Sequence, residues 1–100
     1  DNLYGEEGND VLDGGDAGDL IRGGAGIDTF VFNGTDTGTD VIYDFELGVE
    51  TLQFDGLTSD DLTLMARRTY TDILIEPTGA IVRVMGITNV AALTGDLEFI

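Results

Sequence analysis

The sequence contains no cysteine, histidine, lysine or tryptophan, and only one proline. Without cysteine and histidine there are no disulfides, no thiolate or imidazole zinc sites and no histidine general base. Positive charge is scarce. Arg22, Arg67, Arg68 and Arg83 are the only cations, set against 20 acidic residues for a net charge of −16. That balance repels nucleic acid and anionic membranes and suits cations. No apolar run approaches the ~20 residues needed to cross a bilayer, and no signal-peptide pattern opens the chain. What is present is enough for a core. Hydrophobic residues make up 42% of the 100 positions, and the mean hydropathy of +0.10 is too high for a disordered acidic tail. Glycine is abundant, at 15 residues.

Those glycines follow a rule. Asp1, Asp10, Asp19 and Asp28 recur at intervals of nine, an apolar residue follows each by two positions (Leu3, Leu12, Ile21, Phe30), and Gly5, Gly14 and Gly23 open the next units. "GEEGNDVLD", "GGDAGDLIR" and "GGAGIDTFV" are three copies and "DNLY" the tail of a fourth. Because the chain opens inside this pattern, it reads as a fragment whose true N-terminus lies elsewhere. Residues 1–31 resemble the RTX nonapeptide repeats of secreted bacterial proteins, in which such units bind calcium.

The residues fit that resemblance on physical grounds. The last three positions of each unit suit a very short strand with the eighth facing inward. The first six form a turn whose glycines admit positive φ and leave carbonyls exposed. The resemblance implies a right-handed parallel β-roll with two units per coil, so loops two units apart stack about 4.7–4.9 Å apart. Calcium–oxygen bonds run roughly 2.3–2.6 Å, so an ion midway between loops reaches both. The resemblance further implies carbonyls from the first and third positions of one loop, carbonyls from the second and fourth of its partner, and both sixth-position aspartates. That pairs Gly5, Glu7 and Asp10 with Gly24, Gly26 and Asp28, and Asp1 with Gly15, Ala17 and Asp19, while Gly14, Asp16 and Asp19 face the next loop out.

The pattern has departures. Glu6 replaces the second glycine and Ala17 the fourth. After Val31 the period slips. The aspartate due at residue 37 comes at Asp40 in "GTDVI", an insertion of three, which makes Asp40 the expected partner of Asp19 ahead of Asp36. A single acidic Gly/Asp loop reads equally well as a solvated turn, but three in register do not. An EF-hand is excluded because it needs flanking helices and a glutamate at the twelfth loop position.

From residue 40 the character changes. "DVIYDFELGVETLQF" alternates as two strands, near 40–45 and 50–54, and resembles the segment "DxIxDFxxGxDxLxL" that follows RTX repeats, with Glu50 where aspartate is usual. "GLTSDDL" predicts a helical turn capped by Thr58 or Ser59. Strands are expected near 62–67, 71–76 and 80–85, joined as hairpins, then a short helical turn and a final strand. Expected core residues are Ile42, Phe45, Leu52, Phe54, Leu64, Ile73, Leu74 and Val82. The expected architecture is all-β: β-roll repeats over 1–43, then a β-rich cap over 44–100 that closes the solenoid end.

The expected function is a calcium-binding, non-catalytic module of a larger secreted protein. It would fold on extracellular calcium after export by type I secretion machinery, the acidic-plus-apolar end of whose substrates the ending "EFI" loosely resembles, and would pack against upstream domains. The alternative is a calcium-dependent polysaccharide-binding or adhesion module, as in an alginate-epimerase-like enzyme or an adhesin. In it Arg67, Arg68, Tyr70 and Arg83 would hold an acidic polysaccharide. Asp44 with Glu46, or Asp60 with Asp61, form acid pairs of glycosidase type, but no pocket signal accompanies them.

Overall fold

The computed structural model describes residues 2–13, 18–33 and 38–100. The nonapeptide half forms strands of three residues, β1 (Asn2–Tyr4), β2 (Val11–Asp13) and β3 (Leu20–Arg22), then β4 (Thr29–Asn33) and β5 (Thr39–Ile42). The second half gives β6 (Thr51–Asp55), a 3-10 turn (Ser59–Asp61), β7 (Leu62–Ala66), β8 (Tyr70–Ile75), β9 (Ala80–Met85), the helical turn α1 (Val90–Thr94) and β10 (Leu97–Phe99).

From β1 to β7 successive strands alternate between two sheets. One has the order β1-β3-β5-β9-β8-β7 and the other β10-β6-β4-β2. All neighbours are parallel except β7–β8 and β8–β9. The expected parallel roll is therefore present, finished by an antiparallel β7–β8–β9 meander.

The register explains the core. Leu3, Ile21, Ile42 and Val84 form one cross-strand ladder, and Leu12, Phe30, Leu52 and Leu97 another. Ile21, Phe30, Ile42, Leu52 and Val84 are fully buried. Each such side chain contributes roughly 1.5–3 kcal/mol of burial. Phe32 packs against Phe54 with ring centroids 5.7 Å apart, and Phe54 stacks on Phe99 at 5.8 Å. Phe45 joins Phe30 at 6.0 Å.

One expected core residue is corrected. Ile73 and Ile75 are buried, whereas Leu74 between them is only half-buried on the opposite face, because successive strand side chains alternate. Leu64 packs at the core margin.

Two local devices fix the cap. The Thr58 N–H donates to Asp61 Oδ2 at 3.0 Å, holding the 3-10 turn. Asn89 Oδ1 accepts the Ala92 N–H at 3.1 Å, which caps α1 and seats its buried Leu93.

Candidate functional site

The sheet ladders place loop 5–10 beside loop 23–28 on one edge of the roll. Loop 43–50 follows on the far side of loop 23–28. The approach is close. A Cβ added to Gly24 would meet the carbonyl oxygen of Glu6, and one on Gly26 would meet that of Gly8. Both glycines also hold positive φ, +80° and +99°, so no other residue fits either place. The carbonyl oxygens driven against loop 23–28 are thus those of the second and fourth positions, Glu6 and Gly8. The first-position carbonyl of Gly23 comes back towards Gly5.

The aspartates divide their two oxygens between two tasks. Asp28 Oδ1 accepts the Asp10 N–H at 2.9 Å across the stack. On the opposite edge Asp40 Oδ1 accepts the Asp19 N–H at 2.8 Å. The sequence pairing of Asp19 with Asp40 across the three-residue insertion is thus a structural contact. The second oxygens differ. Asp28 Oδ2 is buried without a hydrogen-bond partner and lies against Gly23, and Asp10 Oδ2 is buried in the same way against Gly5. A buried polar atom left unpaired costs about 1–3 kcal/mol, more when charged, so these oxygens call for a cation.

Loop 43–50 adds two carboxylates that the repeat pattern does not assign. Asp44 takes the Gly23 N–H on Oδ1 and the Gly24 N–H on Oδ2, both at 2.9 Å. Glu50 occupies the aspartate register in the next coil, since β6 pairs with β4 at Thr51 and Thr29. It is buried, its Oε1 accepts the Glu46 N–H at 3.1 Å, and its Oε2 has no hydrogen-bond partner. Burial first, and then the carboxylates of Asp28 and Asp44, push the Glu50 carboxyl up to about 7 against the lowering effect of the Glu46 N–H. The segment "DFELGVE" carried both residues, but their reach into loop 23–28 needs the coil geometry.

Other expected sites resolve differently. Asp1, Gly14, Gly15, Asp16, Ala17 and Asp36 lie outside the described residues. Gly18, Asp19 and Thr39 line an open cleft on the second edge. The supposed acid pairs are engaged elsewhere, Asp44 with Gly23 and Gly24 and Asp61 with Thr58. Among the described residues no three histidine, cysteine or carboxylate side chains converge on one metal position. A cation here must therefore draw on main-chain carbonyls as well as carboxylates. Such a hard oxygen set suits calcium.

Comparison with known proteins agrees with this donor chemistry. Residues 1–30 match the family model for the RTX calcium-binding nonapeptide repeat, in four copies. The fold is similar to the crystal structure of the extracellular lipase LipA from Serratia marcescens, with a TM-score of 0.62 and 24% identity. That likeness covers 97% of this chain and 17% of the lipase, so the chain spans about a sixth of that protein's length. No curated protein matches the chain.

Proposed function

The chain carries RTX calcium-binding repeats over residues 1–30, and on that ground we propose that it is a calcium-dependent folding module of a larger secreted protein. The observation that carries the reading is the pair of buried, unpartnered oxygens, Asp10 Oδ2 and Asp28 Oδ2, in two loops stacked through glycine. Calcium would be held by these two carboxylates together with carbonyls of loops 5–10 and 23–28. On the opposite edge Asp19 and Asp40 would serve a second site with Gly14 and Asp16, and Asp1 with Gly15, Ala17 and Asp19 a further one, as the resemblance implies.

Each residue type has a defined task. The glycines let the loops approach to stacking distance. The Oδ1 atoms knit coil to coil, and the Oδ2 atoms supply charge to the ion. When bound, calcium supplies the positive charge that a chain of net charge −16 lacks. Two carboxylates about 4 Å apart repel by about 1 kcal/mol in water and about 4 kcal/mol at intermediate dielectric. An ion that binds only the folded state adds about 2.7 kcal/mol per site at a hundred times its Kd.

In a calcium-poor cytosol the repeats stay loose and compatible with export. In calcium-rich surroundings outside the cell they close on the cap and stabilise the protein upstream. Circular dichroism and thermal melting in EGTA and then in excess calcium test this. Calcium should raise both the β-signal and Tm, with magnesium a poor substitute because it demands a tighter octahedral shell. Identical spectra and melting curves in EGTA and calcium would refute the reading.

A further inference from the structure

The outer face of the six-stranded sheet carries one cross-strand row that the repeat chemistry does not use. Tyr4 pairs with Arg22 in the parallel register of β1 and β3. One strand further, the Arg22 guanidinium lies 4.7 Å from the ring centroid of Tyr43. The parallel β5–β9 pairs end at Ile42 and Val84, and the next residues along the two strands are Tyr43 and Met85. Met85 pairs with Tyr70, and the Arg67 N–H donates to the Tyr70 carbonyl at 2.7 Å. Reading across the sheet gives Tyr, Arg, Tyr, Met, Tyr, Arg. All three tyrosines and two of the four arginines of the chain stand in that row. Tyr4 and Tyr43 are 62% and 40% exposed, and the Arg67 side chain is half exposed.

A third arginine braces the row. Arg83 lies 4.4 Å from the ring centroid of Tyr70 and grips the buried Asp72 with two hydrogen bonds, 2.9 and 3.2 Å. Asp72 is the only acid among the described strand positions of this face. Arg83 grips it by both carboxylate oxygens and Arg67 Nε stands 4.0 Å from its Oδ2, so Arg22, Arg67 and Arg83 together face one acid and the face keeps a surplus of two positive charges. In a chain with 20 acidic residues, a sheet face with this charge balance is a concentration of cations that packing alone does not require.

We infer that this row is a binding surface for an acidic polysaccharide, laid across the strands with its sugar rings against the tyrosines and its anionic groups on Arg22 and Arg67. The site chemistry selects that occupant. Tyrosine offers an amphipathic ring that accepts the apolar side of a sugar and a hydroxyl that hydrogen-bonds its edge. The arginine fork matches carboxylate geometry. Aromatic and cationic positions alternate at the strand spacing of about 4.7–4.9 Å, which suits a polymer carrying a charge only on some of its rings. Double-stranded DNA, with a charge every ~1.7 Å of axis, meets far stronger repulsion from the rest of a chain of net charge −16.

The reading is separate from calcium binding, and the molecule supplies its own probe. With no tryptophan present and every tyrosine in the row, intrinsic tyrosine fluorescence reads this surface directly. The full chain is held in saturating calcium, its fold checked by circular dichroism, and titrated with hyaluronan oligosaccharide. A saturable change is expected, with no change on adding neutral dextran oligosaccharide. Arg22→Gln or Arg67→Gln should weaken binding roughly tenfold, the scale of one lost charge-assisted contact, while Glu98→Gln, an exposed position of the other sheet, should leave it unchanged. No fluorescence response to hyaluronan from a folded chain overturns the inference. So does unchanged affinity in both Arg22→Gln and Arg67→Gln, or an equal response to poly-glutamate, which would mark the face as a reader of charge on a protein partner.

Discussion

The two halves of this molecule solve the problem of folding in opposite ways. Up to Ile42 the strands are mostly three residues long, β1 to β3 each offer one inward side chain, and the loops hold two carboxylate oxygens, Asp10 Oδ2 and Asp28 Oδ2, buried without a hydrogen-bond partner. From β6 onward the strands run to five or six residues, except the last, and the buried side chains include Phe54, Ile73, Ile75, Val82, Val84 and Leu93. Asp72, the acid buried within the strands of this half, is neutralised by Arg83. The second half carries its own stabilisation. The first half depends on what lies beside it, an ion on its edges and the second half on its flank, since β3 reaches β9 only through β5 and β2 reaches β6 only through β4.

The largest test of that contrast is truncation. A chain ending at residue 39 loses β6 and β9, and with them the buried ladder partners Leu52 and Val84. It should give no cooperative β-signal by circular dichroism even in excess calcium, because so few stacked units bury too little. Cooperative folding of that peptide on adding calcium would show that the roll is self-sufficient.

Next in size is the charge at the loop stack. Asp28→Asn keeps an oxygen for the Asp10 N–H but removes the anion, so calcium affinity by isothermal titration calorimetry should fall at least tenfold. Asp13→Asn, at an exposed outward position of β2, should leave affinity within a factor of about two. Equal losses at both positions would contradict the register.

Asp44→Ala probes the joint between the halves. It strips two backbone N–H groups of their acceptor and should cost about 1–3 kcal/mol of stability by urea unfolding, together with weaker calcium binding at the neighbouring stack. A loss of stability with calcium affinity untouched would show that loop 23–28 is shaped without the cap.

The smallest effect is a gain. Glu6 holds a φ of 68°, a left-handed conformation that glycine adopts freely and other residues adopt at a cost of about 1–2 kcal/mol. Glu6→Gly should raise stability by about 1 kcal/mol, somewhat offset by the freedom glycine gains when unfolded, and Tm by a few degrees. A lower Tm would mean that the Glu6 side chain contributes more than its backbone strain costs.

Much of this contrast is legible in the sequence, and the boundary of legibility is physical. A nine-residue period fixes which side chain of each unit faces inward, so Leu12, Ile21 and Phe30 are readable at sight. It also measures an insertion, so Asp40 can be matched to Asp19. Alternation in the second half reveals strands but not their neighbours. "TDILIE" is a strand from its pattern alone, yet the pattern does not say whether Ile73 or Leu74 is inside. Nor does it say that β9 lies parallel beside β5. The acceptor role of Asp44 and the row from Tyr4 to Arg67 join positions tens of residues apart. Both exist only once the coils are stacked.

The carboxylate bonds also give the molecule a direction. Asp28 caps Asp10, Asp40 caps Asp19, and Asp44 caps Gly23 and Gly24. In each case the acceptor belongs to the later coil and the donor to the earlier one. These carboxylates key each coil to the one before it, like courses of masonry, while the Ile27 N–H donates back to Asn9 Oδ1 at 2.9 Å. Damage near β1 leaves the later courses keyed, whereas damage at loop 43–50 removes the key from loop 23–28, which in turn loosens its hold on loop 5–10. Hydrogen exchange should show protection graded along the chain, deepest beside the cap and shallowest at Asn2–Tyr4.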